Sequence, residues 1–551
     1  MSRNNYQTWA KEDLIQEIKR LKKRKKYGIV WEEEKTKERF EADAEGKLPV
    51  LVEDRKREII TDADKPVNIL IEGDNYHALS VLNYTHPKSI DVIYIDPPYN
   101  TGNRDFIFND RYVDKEDGYR HSKWLSFMNK RLRLAKNVLK QSGIIFISVD
   151  ENEMAKLRLL MDDIFGENNF VGTFIWRKKE GGGQTDTYFV TEHEYLVVYA
   201  RSKEFQWKDE IVSVNEGKFN KEDERGKFSA VKLAKWGSGA RREDRPKMYF
   251  SIKSPDNTNI YPKTPDGREG RWRVGKNRME DLIEKDLIFW EKKNGGWIPY
   301  EKVYYSEGSV KRIKERSILY DMATTGDATN ELKEIFGIKD VFQNPKPTDL
   351  IKFLITHTTN ENAIILDFMG GSGTTGHAIL RHNAEDNGNR QFILCTNNEN
   401  NICTDVCYPR LQKVIKGYKN SRSEKVAGLG GNLKYFKTSF VSSEPTHRNK
   451  KLLTDKSVEM LCIKENTFEE VVNKKQYRIF KNKEKYLAIL FDEMQIDAFK
   501  KEIGRLKLPV SVYVFSLEGD DFREDFEDLG NKITLCSIPA ALLKVYRRIF
   551  R

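Results

Sequence analysis

The residues with the most pointed chemistry are Asp96-Pro97-Pro98-Tyr99, directly after the apolar run DVIYI. Two consecutive prolines cannot extend a sheet or enter a helix interior, so they stiffen a loop just beyond the strand's carboxyl end. Such a loop presents groups rather than burying them. Asp96 offers a carboxylate acceptor, Pro97 a carbonyl that no proline amide can engage, and Tyr99 a flat ring. Together they suit a planar amine held by two acceptors while its ring system stacks on an aromatic face.

A second constellation is Gly371-Ser372-Gly373-Thr374-Thr375-Gly376, a G-x-G-x-x-G turn that follows the strand AIILDF and opens a helix. Glu399 closes the next strand, where an acid can accept hydrogen bonds from ribose hydroxyls. NAD and S-adenosylmethionine both present an adenosine to this geometry, so these residues alone leave both open. A phosphate-binding P-loop is excluded, because His377 stands where its lysine belongs.

Strands and helices must place these two motifs side by side. VNILIEGD, DVIYIDPPY and GIIFISVD are apolar, rich in Ile and Val, and end in acids, while apolar residues at Trp124, Leu125, Met128, Leu132, Ala135 and Val138 mark a helix between the second and third. This rhythm predicts an α/β fold with a mainly parallel sheet, whose ligands sit beyond the strands' carboxyl ends. FIWRK and EYLVVYA form a further strand pair. After residue 335 the rhythm resumes, with a helix near Asp349 to Thr356, the strand AIILDF, a helix from about Thr375 and the strand QFILCTNNE.

Residues 205–335 break this texture. Aromatic and basic residues interleave at Trp236, Arg241, Arg242, Arg245, Lys247, Tyr249, Arg271, Trp272, Arg273, Trp290 and Trp297. The segment reads as an inserted, β-leaning domain: cations neutralise phosphate and rings stack on bases, so it is either a nucleic-acid surface, with the five arginines as DNA contacts, or a small domain with its own aromatic core. The expected organisation is a helical, basic head over 1–45, a core over 46–204 and 336–430, the insert over 205–335, and a small α/β domain over 431–551.

With 551 residues the chain exceeds one compact domain, and about 150 residues per domain suggests three to four. Lys and Arg number 96 against 85 Asp and Glu, a formal charge of +11 that points to a polyanionic partner. No apolar run approaches a membrane span, and MSRNNYQTWAKED has no apolar segment before its charges, so neither membrane nor secretion is expected. The five cysteines then read as reduced thiols in a cytoplasmic protein. Cys403 and Cys407 have no second pair at zinc spacing, and no metal is expected.

On these motifs the sequence resembles the amino-group DNA methyltransferases: Asp-Pro-Pro-Tyr is similar to their catalytic motif, and DFMGGSGTTGHA at 367–378 to their cofactor motif. The catalytic motif comes first, with the aromatic and basic segment between the two, which resembles the permuted β-group. More closely, the chain resembles the modification subunits of type III restriction–modification systems through KKRKKYGIVWE, IEGDNYHAL, YIDPPYNTG, FIFND, WLSFMNKRL, IFISVDENE, GRWR, NPKPTDLI and FILCTNNENNIC, and more weakly through IPAALLKVYRRI. It departs from the common pattern at Met369 and Gly370.

The resemblance implies a Rossmann-like methyltransferase core with an inserted target-recognition domain, transferring methyl from S-adenosylmethionine, with S-adenosylhomocysteine as product, to adenine N6 in duplex DNA. It implies that Asp96 and the Pro97 carbonyl bind the amine, that Tyr99 stacks on the flipped base, and that Phe368, Gly371, Gly373 and Thr374, with Asp367, wrap the methionine end. Glu399 would hold ribose, Asp74 would sit near the adenosine, and Lys346-Pro347 would close over the cofactor. Asp at position 96 favours adenine; cytosine-N4 methylation and an NAD-dependent oxidoreductase are the alternatives. A homodimer is implied, with either a separate restriction subunit as partner or, in an orphan relative, no nuclease partner.

Overall fold

In the computed structural model the described residues are 46–549, save 63, 104, 110, 182–187, 214, 294, 307–309, 517–521 and 539, together with 11, 14, 15, 28–33, 36 and 38. The basic run Lys19 to Lys26, and most of the head assigned to 1–45, lie outside them.

The ten strands of the main sheet are β1 Lys47–Glu53, β2 Val67–Glu72, β3 Ile90–Ile95, β4 Leu139–Val149, β5 Phe170–Arg177, β6 His193–Ala200, β7 Ile318–Leu319, β8 Ile364–Asp367, β9 Gln391–Thr396 and β10 Asn432–Ser442. Their spatial order is β1-β10-β2-β9-β8-β3-β4-β6-β5-β7. The run from β10 to β4 is parallel, while β1 and β6 run against their neighbours. The helices that flank the sheet are α1 Asn75–Thr85, α2 Arg120–Val138, α3 Met154–Phe165, α4 Thr325–Phe336, α5 Thr348–Thr358, α6 Thr374–Asp386 and α7 Tyr408–Lys416.

Successive strand residues face opposite sides, and the core divides accordingly. Ile93, Ile95, Ile145 and Ile147 pack with Leu79, Met128 and Leu157 of α1, α2 and α3. Val92, Tyr94, Ile144 and Phe146 pack with Leu354, Ile379 and Leu411 of α5, α6 and α7. Strands covered on both faces are apolar throughout, which is why their sequences read as continuous Ile and Val runs.

Three domain boundaries are corrected. The chain divides into two compact units, 209–315 and the remainder, so 205–208 and 316–335 do not belong to the insert. Ile318–Leu319 pairs in parallel with β5, and Trp176 Nε1 donates to the Ala323 carbonyl at 3.0 Å. Near 431 the change in texture likewise misleads, because 432–442 is a main-sheet strand whose neighbours are β1 and β2. Beyond it, a five-stranded sheet with edges at Glu469–Asn473 and Ile533–Ile538 closes the chain. Its side chains Leu487 and Tyr513, with Leu542 and Tyr546 of the helix Ala540–Ile549 that follows it, join the core of the main unit.

Taken by itself, the unit 209–315 is built on a four-stranded sheet of Lys221–Asp223, Gly226–Lys232, Gly296–Tyr304 and Ile288–Lys293. Leu233, Trp272, Met279 and Leu282 are its core. Among the described residues no helix is long and apolar enough to cross a membrane.

Candidate active site

β3 and β8 are neighbouring parallel strands with Ile93 opposite Leu366, a register that brings Asp96, one residue past β3, level with the start of the glycine turn. From β3 the chain crosses through α2 to β4 on one side, and from β8 it crosses through α6 to β9 on the other. The crevice at this topological switch point is where an open α/β sheet receives ligands. Both motifs singled out by their chemistry lie there.

The proline loop is fixed by its neighbours. Trp124 Nε1 donates to the Pro98 carbonyl at 2.7 Å. Asn100 takes a left-handed conformation, φ 58°, and its side-chain amide donates to Glu153 Oε1 at 2.5 Å. Pro97 is buried, while the Asp96 and Tyr99 side chains are half-buried at the crevice.

Asp96 is not alone. Lys346 Nζ lies 2.8 Å from its Oδ2, and the Tyr99 hydroxyl lies 2.8 Å from its Oδ1 and 2.9 Å from Glu194 Oε2. Burial pushes the Asp96 carboxyl up from the usual carboxylate range, and Lys346 works against that rise. Burial acts on Glu194 in the same sense, but the Lys346 and Lys178 ammoniums overcome it and hold its carboxyl low. The Lys346 ammonium is itself kept protonated by the two carboxylates despite its burial.

The Lys346 ammonium is on the Asp96 carboxylate, and Pro347 stands where the segment enters α5, as that helix's N-cap. Glu194 and Lys178 are the residues that sequence reasoning missed. Glu194 begins an apolar strand, and acids at strand ends were the signal sought. Because β6 runs antiparallel to β4, with Val149 opposite Tyr195, the beginning of β6 lies at the carboxyl edge of its parallel neighbours.

The glycine turn is braced from within. Gly371 and Gly373 both adopt positive φ, 47° and 79°, and a Cβ at 373 would come 3.1 Å from Cys407 Sγ. Asp367 accepts from the Met369 amide at 2.9 Å and from Thr375 Oγ1 at 2.6 Å. Burial raises its carboxyl to about 7. The fully buried Arg410 donates to Thr374 Oγ1 and to Glu331 Oε2, both at 2.8 Å, and to Ser372 Oγ at 3.1 Å. Asp367 and the Thr374 hydroxyl are thus engaged within the protein, and the Phe368 ring is in the core.

Glu399 is exposed in a short turn beyond β9, the strand beside β8. Asp74 is the N-cap of α1, accepting from the Tyr76 amide at 2.8 Å, and its other oxygen lies 3.3 Å from Arg131. A side chain so engaged is a cap before it is a ligand.

Within the unit 209–315, Arg241, Arg242, Arg245 and Arg273 are exposed. Arg242 pairs with Glu269 at 2.8 Å and covers the Tyr249 ring at 4.5 Å. Arg271 is half-buried, and its Nε donates to the Gly239 carbonyl at 2.5 Å, tying two loops together. Trp236 is exposed, with Lys232 Nζ 3.8 Å from its ring centroid.

The fold and site together define an α/β core that joins the Asp96 loop to the glycine turn at one crevice. Residues 90–406, more than half of the chain, match the DNA methylase family, and the chain belongs to that family. It is 35% identical over 399 residues to the type II methyltransferase M.KpnI of Klebsiella pneumoniae, covering 69% of this chain and 93% of the relative. It is 33% identical over 394 residues to the type III restriction-modification enzyme EcoPI Mod subunit of Escherichia phage P1, covering 64% of this chain and 60% of that one. Identity to the StyLTI Mod subunit of Salmonella typhimurium is also 33%, over 64% of this chain and 56% of the relative. The chain thus matches three-fifths or less of the length of these two Mod subunits.

Proposed function

We propose that the chain transfers a methyl group from S-adenosylmethionine to N6 of an adenine flipped out of duplex DNA, as the modification subunit of a type III restriction–modification system in the bacterial cytoplasm. The observation that carries this reading is the register of β3 against β8, which joins the Asp96 loop to the glycine turn in one crevice. Family membership over 90–406 includes both motifs, which an oxidoreductase would leave half unused.

The residues fit the cofactor. Gly371 and Gly373 carry no side chain and the Ser372 and Thr374 hydroxyls are taken up by Arg410, so the turn has backbone groups to offer a ligand, and the exposed Glu399 carboxylate one strand over suits a ribose diol. When bound, S-adenosylmethionine supplies an electrophilic methyl group. Asp96 and the Pro97 carbonyl accept the two N–H groups of the exocyclic amine, favouring the pyramidal form whose lone pair is available. Each Asp96 oxygen has a second lone pair beyond the one used by Lys346 or Tyr99, so the amine can bind without displacing either. The Tyr99 ring stacks on the base, and Asp96 can accept the proton that the methylated amine loses. Catalysis here is positioning and electrostatics, with no covalent enzyme intermediate.

Aspartate rather than serine at position 96 supports adenine over cytosine. A separate restriction chain and a second copy of this chain are its proposed protein partners. Long-read sequencing of host DNA with and without the gene tests base, atom and site at once. N6-methyladenine at one short motif is the expected result, and N4-methylcytosine or no modification overturns the reading.

A further inference from the structure

Asp96 belongs to a closed ring of ionisable side chains. Lys346 Nζ lies 2.8 Å from Asp96 and 3.3 Å from Glu194, the Tyr99 hydroxyl bridges the same two carboxylates, and Lys178 Nζ lies 3.1 Å from Glu194 Oε1. The Glu194 and Lys346 side chains are 7% and 6% exposed. Two carboxylates and two ammoniums leave the ring neutral, which a poorly solvated crevice requires. Beyond the ring, Tyr94, bonded to Ser148 at 2.9 Å, and Asp367 also face Asp96.

We propose that Lys346 and Glu194 are positioning residues for methyl transfer: Lys346 holds the Asp96 carboxylate ionised and oriented toward the amine, and Glu194 anchors both Lys346 and the Tyr99 hydroxyl. This rests on the methyltransferase reading above and adds to it. A buried carboxylate without a counter-charge takes up a proton, and a protonated Asp96 would present a donor where the amine needs an acceptor. An ammonium has three donors, and two of those on Lys346 meet Asp96 and Glu194. Tyr99 has a single hydroxyl proton, so it bonds one carboxylate at a time as donor. Lys178 compensates Glu194 from its far side and keeps the second carboxylate from repelling the first.

The two residues act on Asp96 with opposite signs, and this makes the proposal testable. Lys346→Met removes a positive charge, raises the Asp96 pKa and moves the acid limb of the pH–rate profile to higher pH. Glu194→Gln removes a negative charge and moves the same limb to lower pH. Lys346→Arg restores the wild-type limb in large part. In Lys346→Met kcat falls roughly tenfold or more while KM for S-adenosylmethionine stays within about twofold. The DNA-free protein gives a second readout, the infrared band of the protonated Asp96 carboxyl, identified by its loss in Asp96→Asn; its titration shifts in the same two directions.

If the wild type methylates DNA and neither limb nor band moves, or both variants move them the same way, the positioning role is overturned. If the band shifts as stated but the wild type transfers no methyl group, the ring stands and the methyltransferase reading fails. Glu194→Gln is close to isosteric, so it carries the test should Lys346→Met fail to fold.

Discussion

Lys346 and Asp96, 250 residues apart in the chain, meet as a 2.8 Å ion pair at the carboxyl edge of the main sheet. The loop before α5 is thereby tied to the loop after β3, so the Asp96 carboxylate is held by a residue from the other half of the core. Glu194 stands behind the pair, 3.3 Å from the Lys346 ammonium.

Asp96→Ala is expected to lower methyl transfer roughly 100- to 1,000-fold, the usual cost of one lost polar partner at a reacting centre. Lys346 keeps Glu194 as partner, so the crevice survives and S-adenosylmethionine affinity changes by no more than about twofold. Calorimetry beside a tritium-transfer assay measures both. Retained turnover would remove Asp96 from the amine site.

Asp367 makes stability depend on pH. Its carboxyl lies at about 7 in the folded chain against 3.8 ordinarily, so the folded state binds the extra proton between those values. Its contribution is full below about pH 4 and is lost as pH rises through about 7. Asp367→Asn should flatten that part of the stability curve, by an amount on the order of a few kcal/mol. Denaturant titrations at several pH values give the slope, and an unchanged slope would show that Asp367 titrates normally.

Arg410→Met leaves Glu331 without its 2.8 Å partner and removes the brace from Ser372 and Thr374. Glu331 is partly exposed and keeps Thr348 Oγ1 at 2.7 Å, so the loss is on the order of 1–3 kcal/mol, mostly from the turn's unpaired buried hydroxyls. Chemical denaturation should report that loss, and S-adenosylmethionine affinity should weaken in the same variant. Unaltered affinity in a destabilised but folded protein would mean the turn holds its shape without Arg410.

In the unit 209–315 the arginines should separate into two groups. Arg245→Ala and Arg273→Ala are expected to weaken binding to every duplex and to lower the slope of log affinity against log salt by about 1 each. Arg271→Ala should instead lower the unit's own melting temperature, because it unties the Gly239 loop. Fluorescence anisotropy over a salt series and calorimetry distinguish them. Exchanging residues 209–315 for those of a relative should change the methylated motif, and an unchanged motif would move recognition elsewhere.

Much of the fold was legible in sequence because buried parallel strands have a distinctive signature. DVIYI and AIILDF are apolar on both faces, and the stretch from Trp124 to Val138 carries a helical period, so these elements follow from local pattern alone. The domain edges at 316–335 and 432–442 were not legible. Whether a short apolar run joins one sheet or another is decided by the partner strand, and sequence pattern holds no record of the partner.

The site divides along the same line. By itself the sequence determined the chemical types: an acid and two prolines after a strand, glycines where backbone must turn at positive φ, and a basic, aromatic insert. These depend on a residue and its immediate neighbours. Only the tertiary structure decided that Lys346 faces Asp96, that Glu194 reaches the carboxyl edge because β6 is antiparallel, and that Asp367, Phe368 and Thr374 are engaged inside the protein. Those facts depend on strand direction and on which distant side chain neutralises a buried charge, both settled when the whole core packs.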